Sequence, residues 1–396
     1  MVLPYYKDVK PPFQYSHYQD DTDKHIKYRS IVSSSSVNIK KFDDINAKTE
    51  WTHIGGNISR LPPLPKKYSL VNKVHIKNSE GIHSVAISPK KRQAAFGLSN
   101  GEIQLRKINT ITHDEATVYL READQPEDTY SAVTCLRFVP SMDHILFSCD
   151  LTGRIEIFDT DKMCKHLMVK ENNEINSIDV NYTGTKVISG GKDATLRIYD
   201  GETGKMLNAT VPIMKRGLYA NPKKYHQLRI YCVKFHQDNY DVFYSGGIDG
   251  YVKVWDLRDN LKVVRTINGP YIHGDAIDQW GKVLLTGSWR ASRGMDLWDA
   301  GSGRHMETLI PTNRSFPLVS EFYECVKFFF GEKTGTVVLA GGSGTERLEV
   351  FDLAEKRIDF SLKVNNTVKS IDSTCCTIVC GGLDGVARVV KFHKTE

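Results

Sequence analysis

Long hydrophobic runs are missing from this chain. No stretch of about 18 apolar residues occurs, so no membrane-spanning helix is expected. The opening residues, MVLPYYKDVKPP, lack the apolar region and small-residue cleavage site of a secretory leader. Both absences lead to the expectation of an intracellular protein, cytoplasmic or nuclear. A strong charge of one sign is also lacking. The formal net charge is +6, short of the concentrated excess that marks nucleic-acid binders. Nucleic acid is therefore a weak third candidate as partner. The eight cysteines form no CxxC pair. Most sit in apolar, strand-like runs, which suits reduced, buried thiols better than a disulfide framework.

Catalytic signatures are absent too. There is no GxSxG, HExxH or GxxxxGK[ST]. Gly341-Gly342-Ser343-Gly344 is glycine-rich but precedes a strand pattern, whereas a phosphate cradle needs a helix N-terminus. It reads as a hairpin turn. Cys375, Cys376 and Cys380 are close in sequence. On a strand, however, Cys375 and Cys376 point to opposite faces and cannot easily share a tetrahedral ion. Asp275 and Asp278 supply too few ligands for calcium. The expectation is no enzyme, no cofactor and no metal.

What is present is ordinary globular composition, 40% hydrophobic and 25% charged. At 396 residues a chain stays one unit most simply by repetition, each repeat packing on its neighbours. A repeat is visible. It reads SCDLTGRIEIFD at Ser148–Asp159, SGGKDATLRIYD at Ser189–Asp200 and SGGIDGYVKVWD at Ser245–Asp256. A stretched copy, TGSWRASRGMDLWD, spans Thr286–Asp299, and AGGSGTERLEVFD ends at Asp352. Worn copies at Phe96–Ile108 and Cys380–Phe392 bring the number to seven. Residues after each turn alternate with the period of a strand. Asp249-Gly250 is a hairpin turn in which glycine accepts positive φ. Each repeat is thus a small antiparallel sheet that cannot bury its faces alone, and stacking the sheets radially does so.

These repeats resemble the WD-repeat family. The Trp-Asp pair stands at Trp255-Asp256 and Trp298-Asp299, and Phe158, Tyr199 and Phe351 replace the tryptophan elsewhere. The resemblance covers roughly residues 68–396. It implies an all-β, seven-bladed propeller of four-stranded antiparallel blades. It also implies a buried His–Ser–Asp–Trp tetrad, incomplete in most blades because the Gly-His pair is missing at most repeats. The last repeat supplies three strands, so the strand-like segment 68–77 is expected to complete its blade. Residues 1–67 are polar and tyrosine-rich, and are expected to form an irregular, partly disordered arm. GPYIHGDAID and LLTGSWR, at Gly269–Asp278 and Leu284–Arg290, resemble a signature of a subset of eukaryotic single-propeller proteins. That signature names no activity.

Function is expected on the loops. The segment Pro212–Arg229 carries Lys215, Arg216, Tyr219, Lys223, Lys224 and Arg229 and no acid. Tyr271 and His273 follow in NGPYIHG, Trp289, Arg290 and Arg293 in SWRASRG, and Arg314 and Phe316 in Pro311–Glu324. All belong to one face, here called the top, around blades four to six. READQPED, Arg121–Asp128, is acidic across the ring. The expected function is a scaffold that binds an acidic or phosphorylated protein segment through arginine and aromatic contacts. The alternative is solvated loops. A second signal is Trp255-Asp256-Leu257-Arg258, which resembles the WDxR box of substrate receptors in cullin-type ubiquitin ligases. That resemblance would place Arg258 against a ligase adaptor.

Overall fold

The computed structural model describes residues 66–76, 81–108, 117–122, 131–210, 214–215, 218–219, 224–259, 261–314, 321–329 and 335–394. They form seven four-stranded antiparallel sheets and one two-stranded ribbon, with no α-helix among the described residues. Blade 1 runs from Ile82–Ile87 to Val118–Arg121, and blade 2 from Val133–Val139 to Cys164–Lys170. Blade 3 runs from Ile175–Val180 to Met206–Ala209, and blade 4 from Ile230–Phe235 to Lys262–Asn268. Blade 5 runs from Ile277–Trp280 to His305–Thr308, and blade 6 from Tyr323–Phe328 to Arg357–Lys363. Blade 7 joins Val368–Ser373, Thr377–Gly382 and Val386–Lys394 to Lys66–His75 from the far end of the sequence. In that closing pair Tyr68 lies opposite Phe392 and His75 opposite Val386. The first strand of every blade packs on the first strands of both neighbours, so the sheets close into a ring. The seven-bladed propeller read from the repeats is the observed fold. Residues 1–65 of the expected arm, and 123–128 of the acidic stretch, lie outside the described residues.

Burial explains the pattern. Inner strands are almost wholly buried, whereas the outermost strand of blade 2, Cys164–Lys170, is mostly exposed. The small residues that end each second strand are required by packing. A Cβ on Gly190 would stand 2.7 Å from Ile230 of the next blade, and one on Gly381 would stand 2.5 Å from Ile82 across the closure. Glycine lets one sheet lie flat on the next.

The polar tetrad is complete in blade 4. His226 contacts Asp249 at 2.9 Å and Ser245 at 2.7 Å, and the Trp255 indole donates to Ser245 at 2.7 Å. Its histidine follows Tyr225 rather than a glycine. Blade 3 replaces the histidine with Glu171, which accepts from Ser189 at 2.5 Å and Tyr199 at 2.9 Å. Blade 5 keeps a Trp298 bond to Thr286 at 2.9 Å.

The thiols correct one expectation. All eight are free, but Cys164, Cys375 and Cys376 are exposed. Cys375 and Cys376 are not on a strand. They occupy the turn between Val368–Ser373 and Thr377–Gly382, where the Thr374 hydroxyl accepts from the Cys376 and Thr377 amides at 3.3 and 3.0 Å. Their side chains therefore do not diverge as strand neighbours would.

Candidate docking surface

Turns between second and third strands, and loops to the next blade, share the top face. The sector from blade 4 to blade 6 gathers an aromatic stack there. Tyr231 lies 4.7 Å from His273, His273 lies 4.9 Å from Trp289, and Trp289 lies 4.8 Å from Phe322, ring centre to ring centre. Burial pushes His273 down from the ordinary 6.5 to about 4, with Glu324 opposing that fall and Lys369 and Arg229 adding to it. The ring is neutral at physiological pH and adds no charge to the sector. Beside the stack, the Arg290 guanidinium lies 5.4 Å from the centre of the Tyr271 ring. It also donates to the Gly269 carbonyl. Backbone bonds hold the two loops together: Tyr271 N–H donates to Ser288 Oγ at 2.9 Å, and Trp289 N–H to Tyr271 O at 2.8 Å. Arg293 is exposed and has φ of 53°, a left-handed conformation that costs a non-glycine residue about 1–2 kcal/mol. Such strain concentrates at functional turns.

Other expected members are placed differently. Arg314 turns inward, pairing with Glu321 at 2.8 Å and Glu349 at 2.5 Å and donating to the Tyr323 hydroxyl at 3.2 Å. Only 10% of its side chain is exposed, so it serves the junction between blades 5 and 6 rather than a partner. Arg229 pairs with Glu174 at 2.9 Å and lies 6.0 Å from the Tyr231 ring centre. Lys224 is exposed. Lys215 and Tyr219 lie on the ribbon Met214–Lys215 and Leu218–Tyr219, in the connection between blades 3 and 4. Arg216, Lys223 and Phe316 lie outside the described residues. Across the ring, Arg121 is buried and pairs with Asp150 at 3.2 Å and Glu156 at 2.8 Å, tying blade 1 to blade 2.

Comparison with known proteins agrees with the propeller fold. The family model "WD domain, G-beta repeat" matches residues 163–200 and 223–256, which fall on blades 2–3 and on blade 4. The chain is a seven-bladed β-propeller that carries WD repeats. It is 26% identical over 162 residues to a mouse protein, "Pre-mRNA-processing factor 17", covering 36% of this chain and 25% of that one. It is 28% identical over 161 residues to the zebrafish (Danio rerio) "THO complex subunit 6 homolog", covering 39% and 43%. A "Denticleless protein homolog" of Xenopus tropicalis is 28% identical over 129 residues, covering 31% and 16%. The chain thus spans less than half the length of each of these relatives.

Within the WD-repeat ring, the central channel holds residues that motif reading passed over. The first strands place Ala86, Arg137, Asp179, Lys234, Asp278, Lys327 and Asp372 at one register position. From blade 2 to blade 7 the charges alternate in sign. Each aspartate uses one oxygen for the cation of the preceding blade: Arg137–Asp179 at 3.4 Å, Lys234–Asp278 at 3.6 Å and Lys327–Asp372 at 3.5 Å. Its other oxygen accepts the first-strand amide of the following blade, from Phe235 at 2.6 Å, Phe328 at 2.9 Å and Ile87 at 2.7 Å. At the remaining seam Ala86 replaces a charge, and Ser84 Oγ accepts from Leu136 N–H at 2.9 Å.

On the opposite face, the turn after Trp255 carries Arg258. Its guanidinium grips Asp256 through two bonds of 3.0 and 2.7 Å, and 62% of the side chain is exposed. The propeller therefore presents an aromatic–arginine surface on one face and an oriented arginine on the other.

Proposed function

We propose that this WD-repeat propeller is a non-catalytic scaffold that docks an acidic or phosphorylated protein segment on the sector around Tyr271, Trp289, Arg290 and Arg293. The observation that carries the reading is the Arg290–Tyr271 stack beside Trp289. An arginine pre-ordered over an aromatic face loses little entropy when it meets a carboxylate or phosphate. Tyrosine, tryptophan and arginine are also the residue types that dominate protein-binding hot spots. The sector is more aromatic and less basic than the sequence suggested, because Arg314 and Arg229 already have carboxylate partners. A matching segment therefore presents an apolar side chain next to its negative group.

The test is binding of phosphoserine-containing and acidic peptide arrays to the full chain, compared with Arg290→Ala/Arg293→Ala. The reading expects affinity to fall at least about tenfold in the double variant, which corresponds to about 1.4 kcal/mol. It also expects weakening by salt. Equal binding by both proteins overturns it.

Arg258 supports a second reading, adaptor binding in a cullin-type ubiquitin ligase. Its exposure and its clamp by Asp256 present the guanidinium in one orientation. Adaptor capture that is unchanged by Arg258→Ala removes this reading.

A further inference from the structure

The turn at the inner edge of blade 7 carries chemistry that the docking surface does not use. Cys375 and Cys376 are both exposed, and their Sγ atoms stand 3.3 Å apart. The turn beneath them is fixed. Thr374 N–H donates to the Thr377 carbonyl at 2.7 Å, and Phe392 N–H donates to the Cys376 carbonyl at 2.8 Å. The backbone is therefore anchored while both sulfurs face solvent. The remaining exposed cysteine, Cys164, lies on the outermost strand of blade 2.

We propose that Cys375 and Cys376 form a dithiol redox site that peroxide oxidises as a pair to a reversible vicinal disulfide. The two sulfurs differ in the way the reaction requires. The hydrogen bond from Cys376, and then Lys91 nearby, hold the Cys375 thiol below its ordinary range, while the same bond pushes Cys376 up. Cys375 is the attacking thiolate and Cys376 the resolving thiol. The Cys375 sulfur attacks one peroxide oxygen, the O–O bond breaks, and the leaving hydroxide takes a proton to become water. Cys375 is then a sulfenic acid. The Cys376 sulfur attacks it, the S–S bond forms, the S–O bond breaks, and a second water leaves with the Cys376 proton. Two thiols lose two electrons and two protons, and peroxide is reduced to two waters.

Geometry also sets reversibility. Consecutive Cα atoms are about 3.8 Å apart, shorter than the range of about 4.4–6.8 Å that disulfides normally span. The ring formed by neighbouring cysteines is therefore strained and easily reduced by cellular thiols. A trivalent arsenical, which bridges two sulfurs without an S–S bond, reports the paired geometry directly.

The test uses the full chain carrying Cys164→Ser, treated with hydrogen peroxide or phenylarsine oxide and read by intact mass and peptide mapping. The proposal expects loss of two hydrogens within the peptide holding Cys375 and Cys376, recovered with dithiothreitol. It also expects one arsenical retained through washing, and loss of both signals in Cys375→Ser or Cys376→Ser. Added oxygen on either cysteine without loss of two hydrogens overturns it, as do disulfide-linked dimers alone or arsenical retention in the single variants. The peptide map of the parent chain needs no further variant, so misfolding of a serine variant does not obscure the result.

Discussion

Arg137 of blade 2 donates to Asp275, just before blade 5, at 2.7 Å. These blades are not neighbours, so the side chain reaches across the central channel. Lys327 of blade 6 approaches the same carboxylate at 3.5 Å. Both partners of the cross-channel pair are largely buried, with 10% and 16% of their side chains exposed. Removing one takes from the other its nearest opposite charge, a loss of about 3–5 kcal/mol for a buried pair. Arg137→Met should therefore lower stability by about that amount in urea unfolding. Adding Asp275→Asn should cost less than the sum of the two single changes, with coupling of about 1–3 kcal/mol. Strict additivity would show that the cross-channel contact carries no energy.

That pair also shows what the sequence made legible. The seven repeats were readable because five of them end in an aromatic and aspartate after a short turn, a local pattern that packing rarely disguises. The alternating channel ring was equally present in the letters. It emerges only when the first strands are aligned on the small residue of the second strand that faces them, as Ile178 faces Ser189 and Val233 faces Ser245. Loop chemistry was less legible. Composition marks Arg314 and Arg293 as alike, yet Glu349 on a strand of blade 6 captures Arg314 while Arg293 stays exposed. The fate of a loop arginine depends on carboxylates distant in sequence. Cys375 and Cys376 were misplaced for a related reason: one threonine side chain turned an apolar run into a turn.

Arg314 gives a prediction that separates structural from binding roles. Its contacts with Glu321, Glu349 and Tyr323 are internal. Arg314→Ala should destabilise the propeller by about 3–5 kcal/mol, as loss of one member of a buried ionic cluster does. In the folded fraction, peptide affinity at the Arg290 sector should change by less than about twofold, since 1.4 kcal/mol corresponds to tenfold. Chemical denaturation together with binding at low temperature checks both. A tenfold loss of binding with unchanged stability would return Arg314 to the contact surface.

Acid sensitivity follows from groups around the channel. Burial pushes His83 down from 6.5 to about 4, with Lys369 adding to the shift, and burial does the same to His273. A histidine with a depressed folded pKa binds fewer protons folded than unfolded. Its stability contribution is present above about 6.5 and is lost as pH falls from there through about 4. Burial alone would raise Asp275, but Arg137, Lys327 and Lys234 hold it well below the ordinary 3.8. Its contribution is lost only below about 4. Stability should therefore fall in two stages, the first between about pH 6.5 and 4 and the second below it. Thermal melts of His83→Gln/His273→Gln should show a flattened first stage and an unchanged second. A first stage equal to that of the parent protein would assign it to other groups.

Closure of the ring supplies the last prediction. Tyr68 on the closing strand packs its ring 5.2 Å from Phe392, 5.7 Å from Phe360 and 6.5 Å from Phe329, centre to centre. Phe360 lies on the outermost strand of blade 6 and Phe329 just after its first strand, so Tyr68 joins the last blade to the one before it. The strand Val386–Lys394 would otherwise present a long row of unpaired backbone groups, which is a template for aggregation. Tyr68→Ala should lower stability by about 2 kcal/mol, less than for a fully buried ring, because Tyr68 is half-buried. Deletion of residues 1–76 should go further, opening that edge and driving concentration-dependent association, which light scattering and hydrogen exchange on blade 7 would detect. If the deleted chain stayed monomeric with blade 7 protected, the packing of Ile82 on Gly381 and the Asp372–Ile87 and Ser370–Val85 bonds would suffice to hold the ring shut.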